Sequence, residues 1–423
     1  MNTLGSGSPD KALTDFDAKR ICLEAFASWK VRGRKVLVII PDATRSCPLG
    51  LMFRQVQEAA AEAAQLDFMV ALGTHPPMTM EQIYARVEIT ADEHHSKYAR
   101  TRFFNHEWNN PEALFEVGRL SRADVRELTG GLFEMEVGVS INRRVQAYDL
   151  LVILGPVFPH EVVGFSGGNK YLFPGIAGAE ILNFFHWLGA VLTNPMIIGN
   201  KWTPVRKVVD RAASLLKVER KALCMVVKGH DLAGLYAGSP EAAWEQAAEL
   251  SRQIHIEYKD TPFHTVLSCA PRMYDDLWVG AKCMYKLEPV VADGGTLIIY
   301  APHITEVSVS HGKLIEELGY HTRDYFLKQW DRFKGYPWGV LAHSTHVRGI
   351  GTYENGVEKG RVNVVLATGI PESVCRKINM GWMDYRDINP ADYAGREAEG
   401  ILYVPKAGEI LYRLKKEMSD GAV

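Results

Sequence analysis

Lys35-Val36-Leu37-Val38-Ile39-Ile40-Pro41-Asp42 carries an unbroken apolar run from Val36 to Ile40, closed by a proline and an aspartate. A strand with one wet face would alternate; one without alternation is covered on both faces, as strands of a parallel sheet are. The pattern returns at Asp67-Phe68-Met69-Val70-Ala71-Leu72, which ends in Gly73-Thr74-His75. It returns again at Asp149-Leu150-Leu151-Val152-Ile153-Leu154, which ends in Gly155-Pro156. Between the first two, residues 52–64 read as an amphipathic, alanine-rich helix. Strands and helices therefore alternate, and each strand delivers polar residues at its C-terminal end. In open α/β sheets that is where ligands bind.

Further along, residues 239–256 predict a polar helix, with Ser239 before Pro240 as its start. Asp260-Thr261-Pro262 reads as a domain boundary. A new strand series follows at residues 264–269, 295–300, 362–367 and 401–404. The expected fold class is α/β, as two mixed α/β domains spanning residues 1–256 and 257–423. No internal repeat or low-complexity tract interrupts them.

Composition narrows the class. The chain has 423 residues, 47% hydrophobic and 23% charged, with a formal net charge of −2. That balance gives no basic footprint for nucleic acid or an anionic membrane. Six scattered cysteines without a CxxC pair argue against a disulfide scaffold and a thiolate zinc site. Residues 1–10 lack the apolar core of a signal peptide, and no apolar run reaches membrane-spanning length. A cytoplasmic location is the expectation.

The richest chemistry lies in Pro159-His160-Glu161-Val162-Val163-Gly164-Phe165-Ser166-Gly167-Gly168-Asn169-Lys170, followed by Phe173-Pro174-Gly175-Ile176-Ala177-Gly178 and then His186. A glycine-rich turn lets backbone N–H groups approach a ligand closely, as phosphate sites require. Lys170 ends that turn. It is not a Walker P-loop, because Asn169 and Tyr171 flank the lysine. Asp42-Ala43-Thr44-Arg45 reads either as an N-cap and first helical turn, or as an anion site made by that helix terminus with Arg45. Gly73-Thr74-His75-Pro76-Pro77 fixes an imidazole in a rigid turn. His186 falls in an apolar helix, where a hydrogen-bonded core residue and a ligand are both open readings. His94, His95, His303, His343 and His346 lack such support and read as solvated or structural.

Taken in order, Asp42-Ala43-Thr44-Arg45 with Pro48, Leu72-Gly73-Thr74-His75 with Pro77-Met78-Thr79, the His160 to Lys170 motif, Pro174-Gly175-Ile176-Ala177-Gly178 and His186 resemble the lactate racemase family, whose members use a nickel-pincer nucleotide. The likeness covers most of the chain. It implies that the active site and cofactor occupy the cleft between the two domains. It implies that Lys170 joins covalently to the cofactor, nickel pyridinium-3,5-bisthiocarboxylic acid mononucleotide, and that His186 is the protein's nickel ligand. A square-planar site with soft donors suits Ni(II). His75 and His160 would be acid–base groups on opposite sides of the substrate carbon, and Arg45 would bind substrate oxygen. Asp42 and Thr44 would hold the cofactor or orient neighbours, while Ser166, Gly167 and Gly168 would line the phosphate site. Separate cofactor-building enzymes are implied as partners.

The implied reaction racemises or epimerises a 2-hydroxy acid. One histidine takes the hydroxyl proton while hydride leaves Cα for the cofactor, and return to the other face of a 2-keto acid inverts the centre. In the second domain, Asp276-Leu277-Trp278-Val279-Gly280-Ala281-Lys282 resembles the family's carboxylate-binding helix, with Lys282 as anchor and Trp278 in the pocket. Trp278 stands where a tyrosine is usual and Val279 where an amide is usual. This departure points away from lactate toward a larger substrate such as a sugar acid. The aromatic segment 320–338 and the polar stretch 344–348 are candidates to line a roomier site. Lactate racemase proper stays open. So do two other classes: a zinc hydrolase held by His75, His160 and His186, which leaves Lys170 unexplained, and a binding protein without catalysis.

Overall fold

A computed structural model describes residues 3–415; residues 1–2 and 416–423, the outer ends of the two expected domains, lie outside the described residues. The fold is mixed α/β. The chain forms two compact units. The first comprises the described chain up to Phe158, with Phe165–Phe185 and Lys201–Ile254; the second comprises Pro159–Gly164, His186–Asn200 and the described chain from His255 on. Two short stretches inside the first half of the sequence thus pack with the second unit, and they carry His160 and His186.

The first unit is built on a seven-stranded sheet. Across it run Leu4–Gly7, Asp231–Gly238, Glu219–Lys228, Leu150–Pro156, Lys35–Pro41, Gln65–Ala71 and Phe103–Asn105. The last five strands in that order are mutually parallel, while Asp231–Gly238 runs antiparallel to both of its neighbours. Val36, Val38 and Ile40 pack with Met52, Phe53 and Val56 of the helix Leu49–Ala59. Leu37 and Ile39, which point to the opposite face, are equally buried. Burial on both faces is the reason the sequence run shows no alternation.

The helix after the first strand starts and stops earlier than residues 52–64. It begins at Leu49 behind Pro48 and ends at Ala59. Its alanine-rich tail is drawn away because Gly33 N–H donates to the Glu62 carbonyl and Ala64 N–H to the Arg34 carbonyl, which returns the chain to the sheet. The expected polar helix is present as Pro240–His255, and the Ser239 hydroxyl caps it by accepting from Ala242 N–H at 3.2 Å.

The second unit holds a five-stranded, all-parallel sheet in the order Gly381–Trp382, Asn363–Thr368, Val291–Ala301, Phe263–Cys269, Ile401–Val404. Each expected strand of this half is present. Segment 320–338 packs as an aromatic cluster, with Phe326 and Phe333 edge-on at 5.0 Å and Trp330 stacked on Trp187 at 5.3 Å. In 344–348 the Ser344 and Thr345 hydroxyls donate to the Gly319 and Ala342 carbonyls, so they hold the fold together. All six cysteines are free thiols, and among the described residues no helix is long and apolar enough to cross a membrane.

Candidate active site

In the first sheet, strand order reverses between Lys35–Pro41 and Leu150–Pro156, which are neighbours although more than a hundred residues separate them. The crevice outside the carboxyl ends at such a switch point is where doubly wound sheets bind ligands. The loop after Pro41 carries Asp42, Thr44 and Arg45; the adjacent strand Gln65–Ala71 leads to His75.

Asp42 is not an N-cap, because the helix begins seven residues later at Leu49. Its carboxylate is spent on the loop itself. Oδ1 accepts from Thr44 N–H at 3.0 Å and from the Thr44 hydroxyl at 2.7 Å, and Oδ2 lies 2.5 Å from Nδ1 of His75. Burial works to raise this carboxyl, but the charge and hydrogen bond of His75, with Arg45 and Thr44, outweigh it and hold it well below the usual carboxylate range. The anion-site reading through a helix terminus at Arg45 therefore falls, and an Asp–His pair takes its place. Arg86 fixes the loop from outside: its guanidinium donates to the carbonyls of Asp42 (3.0 Å) and Arg45 (2.8 Å). No sequence signal marked Arg86, which lies on the helix Met80–Val87.

The glycine-rich turn leaves the neighbouring strand end. Its carbonyls are pulled inward: Arg206 donates to Phe165 O and Gly167 O, and the Trp244 indole N–H donates to Ser166 O at 2.9 Å. Arg206 is buried and lies 4.0 Å from the Trp244 ring centroid. Gly167 and Gly168 have φ of 84° and 57°, and a Cβ on either would meet Val157 or Trp244. Both glycines are therefore needed for the turn's own conformation and packing. The Ser166 hydroxyl accepts from Phe158 N–H and reaches the Pro156 carbonyl, a structural duty that sequence reasoning did not foresee. Lys170 follows within the 3₁₀ turn Gly168–Tyr171. Tyr171 packs so closely on Gly155 that any Cβ there would strike its ring, and it feels the charges of Arg45 and Asp42. Gly73 N–H donates to Gly175 O at 3.0 Å. The Asp42 loop, the His75 loop and the Lys170 turn thus meet at one end of this sheet.

Arg206→Met should cost about 3 kcal/mol, because it leaves two buried carbonyls without a charged donor while keeping most of the packing. Thermal unfolding would show this, and hydrogen exchange should rise first at residues 165–170.

In the second unit, the chain leaving Phe263–Cys269 forms the short helices Leu277–Gly280 and Lys282–Tyr285. Asp276 caps the first, taking Val279 N–H at 2.9 Å, and also holds Val309 N–H at 3.0 Å. The Lys282 ammonium lies 4.5 Å from the Tyr274 ring centroid. Trp278 lies flat on His343, with centroids 3.8 Å apart and planes 5° apart, and 4.6 Å from His311. His343 Nε2 bonds the Trp278 carbonyl at 3.0 Å. Burial pushes His343 down to about 3 and keeps it neutral; His346, His311 and His186 add to that effect. His343 was expected to be solvated or structural; it is buried and clamps Trp278, and only the stacking reveals it. Val279 is buried. His186 is half-buried on the helix Ala179–Leu192. His160 is buried beside Glu161 at 3.3 Å. His94 bonds Tyr84 and Thr101, and His303 bonds the Tyr274 carbonyl, both structural roles.

The profile of the lactate racemase N-terminal domain matches residues 17–196, the span that contains Asp42, His75, His160, Lys170 and His186. Residues 17–196 thus carry a lactate racemase N-terminal domain. The chain is 25% identical to the lactate racemase of Thermoanaerobacterium thermosaccharolyticum over 290 residues (66% of this chain, 62% of that one), and 25% identical to that of Lactiplantibacillus plantarum over 278 residues (64% and 61%). The matched region thus spans less than two thirds of these relatives' length. Among solved structures, a Thermotoga maritima protein is similar at 33% identity with a TM-score of 0.88, covering 97% of this chain and 100% of that one. The T. thermosaccharolyticum lactate racemase apoprotein shares the fold, with a TM-score of 0.71 at 19% identity over 95% of this chain and 93% of that one. Among the described residues no group of three or more His, Cys, Asp or Glu side chains is arranged to hold a metal ion.

Proposed function

We propose that this chain is a racemase or epimerase of 2-hydroxy acids that works with a covalently bound nickel-pincer nucleotide. The observation that carries the reading is the Asp42–His75 pair packed at the same sheet end as the Lys170 turn. The donor set fits the cofactor: His186 would add one imidazole nitrogen to nickel carried by an organic partner, and among the described residues no His, Cys, Asp or Glu cluster competes for the metal. Lys170 would anchor that partner, beside the Ser166-Gly167-Gly168 backbone. When bound, it supplies a hydride acceptor, so a 2-hydroxy acid passes reversibly through its keto acid without net oxidation.

The chain's own residues move the protons and hold the acid. Asp42 accepts the Nδ1 proton of His75, which leaves the Nε2 lone pair as the base for a substrate hydroxyl. His160 is the second proton carrier. Arg45 and Lys282 carry the positive charge for the substrate's oxygens.

The substrate is a 2-hydroxy acid larger than lactate, with an aldonic acid ahead of aromatic or branched ones. Trp278, stacked on His343, replaces a polar group with a broad apolar surface, while Lys282 keeps the charge anchor. The names of the relatives give lactate as the competing substrate. The test is a panel of stereoisomers assayed by chiral chromatography with nickel-loaded protein. An aldonic acid should exceed lactate in kcat/KM by at least about tenfold, the scale of 1.4 kcal/mol of extra binding in the transition state. Lactate as best substrate would reject the size argument, and no interconversion of any 2-hydroxy acid would reject the function.

A further inference from the structure

Nδ1 of His160 has two neighbours that demand opposite things of it. Val162 N–H donates to this nitrogen at 3.2 Å, which requires a lone pair there. Glu161 Oε2 lies 3.3 Å from the same atom, and a carboxylate makes a hydrogen bond only if the nitrogen carries a proton. One ring cannot satisfy both at once. With Val162 as partner, the neutral ring has its proton on Nε2, so Nε2 has no lone pair and cannot act as a base. With Glu161 as partner, Nδ1 is protonated; Nε2 then accepts a proton, and the imidazolium that results stays paired with a carboxylate.

We propose that Glu161 is a positioning residue that switches His160 between these two states, doing for His160 what Asp42 does for His75. This rests on the reading of His160 as a proton carrier. The side chains are buried enough for the choice to matter, at 8% and 18% exposure for His160 and Glu161. Around the pair, His346 feels the Glu161 charge, and the Lys286 ammonium donates to the carbonyl of Pro159 next to the ring. The proton path balances: Nε2 takes the hydroxyl proton of one stereoisomer, Nδ1–H remains on Glu161 throughout, and in the reverse direction Nε2 returns that proton to the nascent hydroxyl. The two imidazoles are not equivalent at rest. His75 has a carboxylate as its Nδ1 partner, whereas His160 Nδ1 also meets a backbone donor that favours the idle tautomer.

The test is imidazole ¹⁵N NMR of the cofactor-free protein labelled at histidine, with His160 assigned from a His160→Gln sample. Wild type should show a measurable Nδ1–H population at neutral pH. Glu161→Ala should show only the Nε2–H tautomer, and after cofactor loading its inversion rate should fall about 10²-fold, the lower range for a lost acid–base group. Glu161→Gln, which keeps an acceptor oxygen and the side-chain shape, should retain Nδ1–H while His160 becomes neutral at a lower pH than in wild type. An unchanged His160 tautomer in Glu161→Ala, or an unchanged titration in Glu161→Gln, would overturn the proposal. The NMR result needs no turnover. If the tautomer shifts as expected while wild-type protein inverts no 2-hydroxy acid, the switch stands and the proposed function fails.

Discussion

Lys170→Ala protein, made alongside the cofactor-building enzymes, should emerge from the mass spectrometer as the bare chain, while wild type carries the adduct. The loss should be complete, because no other amine can stand in for a covalent attachment point held in a turn. The fold should survive. The backbone bonds of this turn, Lys170 N–H to Gly167 O and Gly175 N–H to Lys170 O, need no side chain. The turn is held from within by Arg206 and Trp244. Thermal stability should therefore stay within about 0.5 kcal/mol of wild type. His186→Ala separates the two halves of the proposal: the organic adduct should remain by mass while nickel by elemental analysis drops. An adduct of full mass on Lys170→Ala would remove the anchor assignment, and nickel retained at wild-type level in His186→Ala would remove the ligand assignment.

What the sequence revealed about these loops and what it hid have different physical causes. Strands buried on both faces announce themselves as uninterrupted apolar runs, so Lys35–Pro41 and Leu150–Pro156 were legible, and with them the polar positions at their ends. The strand Leu4–Gly7 was not legible, because Leu-Gly-Ser-Gly has no apolar pattern. Gly5 pairs only because a missing Cβ lets Leu235 O approach, and that requirement is invisible without its partner. The placement of His160 and His186 in the second unit was hidden for a similar reason: unit membership depends on contacts far along the chain. Residues that hold the site rather than perform chemistry were hidden too. Arg86, Arg206 and Trp244 act on backbone carbonyls, and any loop offers those, so no spacing distinguishes them. The Trp278–His343 stack joins residues 65 positions apart and carries no local signature.

Asp42→Asn should lower the inversion rate by about 10²- to 10⁴-fold, close to the effect of His75→Ala, although it exchanges a single heavy atom and leaves both histidines in place. The reason is the fixed orientation of the carboxylate. Thr44 N–H at 3.0 Å and the Thr44 hydroxyl at 2.7 Å both reach Oδ1, so an asparagine must keep its oxygen on that side. Its NH₂ then faces Nδ1 of His75, 2.5 Å from the atom it replaces. An N–H donor there forces Nδ1 to accept and moves the ring proton to Nε2, and a ring in that tautomer has no lone pair for the substrate hydroxyl. Asp42→Asn should therefore still bind cofactor and show His75 as the Nε2–H tautomer by ¹⁵N NMR. The pH dependence of stability gives an independent check. The folded-state carboxyl is held below its unfolded value, so its contribution is fully present above about pH 4 and is lost as pH falls further. Denaturation curves of wild type and Asp42→Asn should differ at neutral pH and converge as the pH drops below about 4, near the unfolded carboxyl pKa. A constant gap across that range would mean the carboxylate charge is not what ties Asp42 to His75. An Asp42→Asn enzyme within tenfold of wild type would mean that His75 finds its tautomer without Asp42.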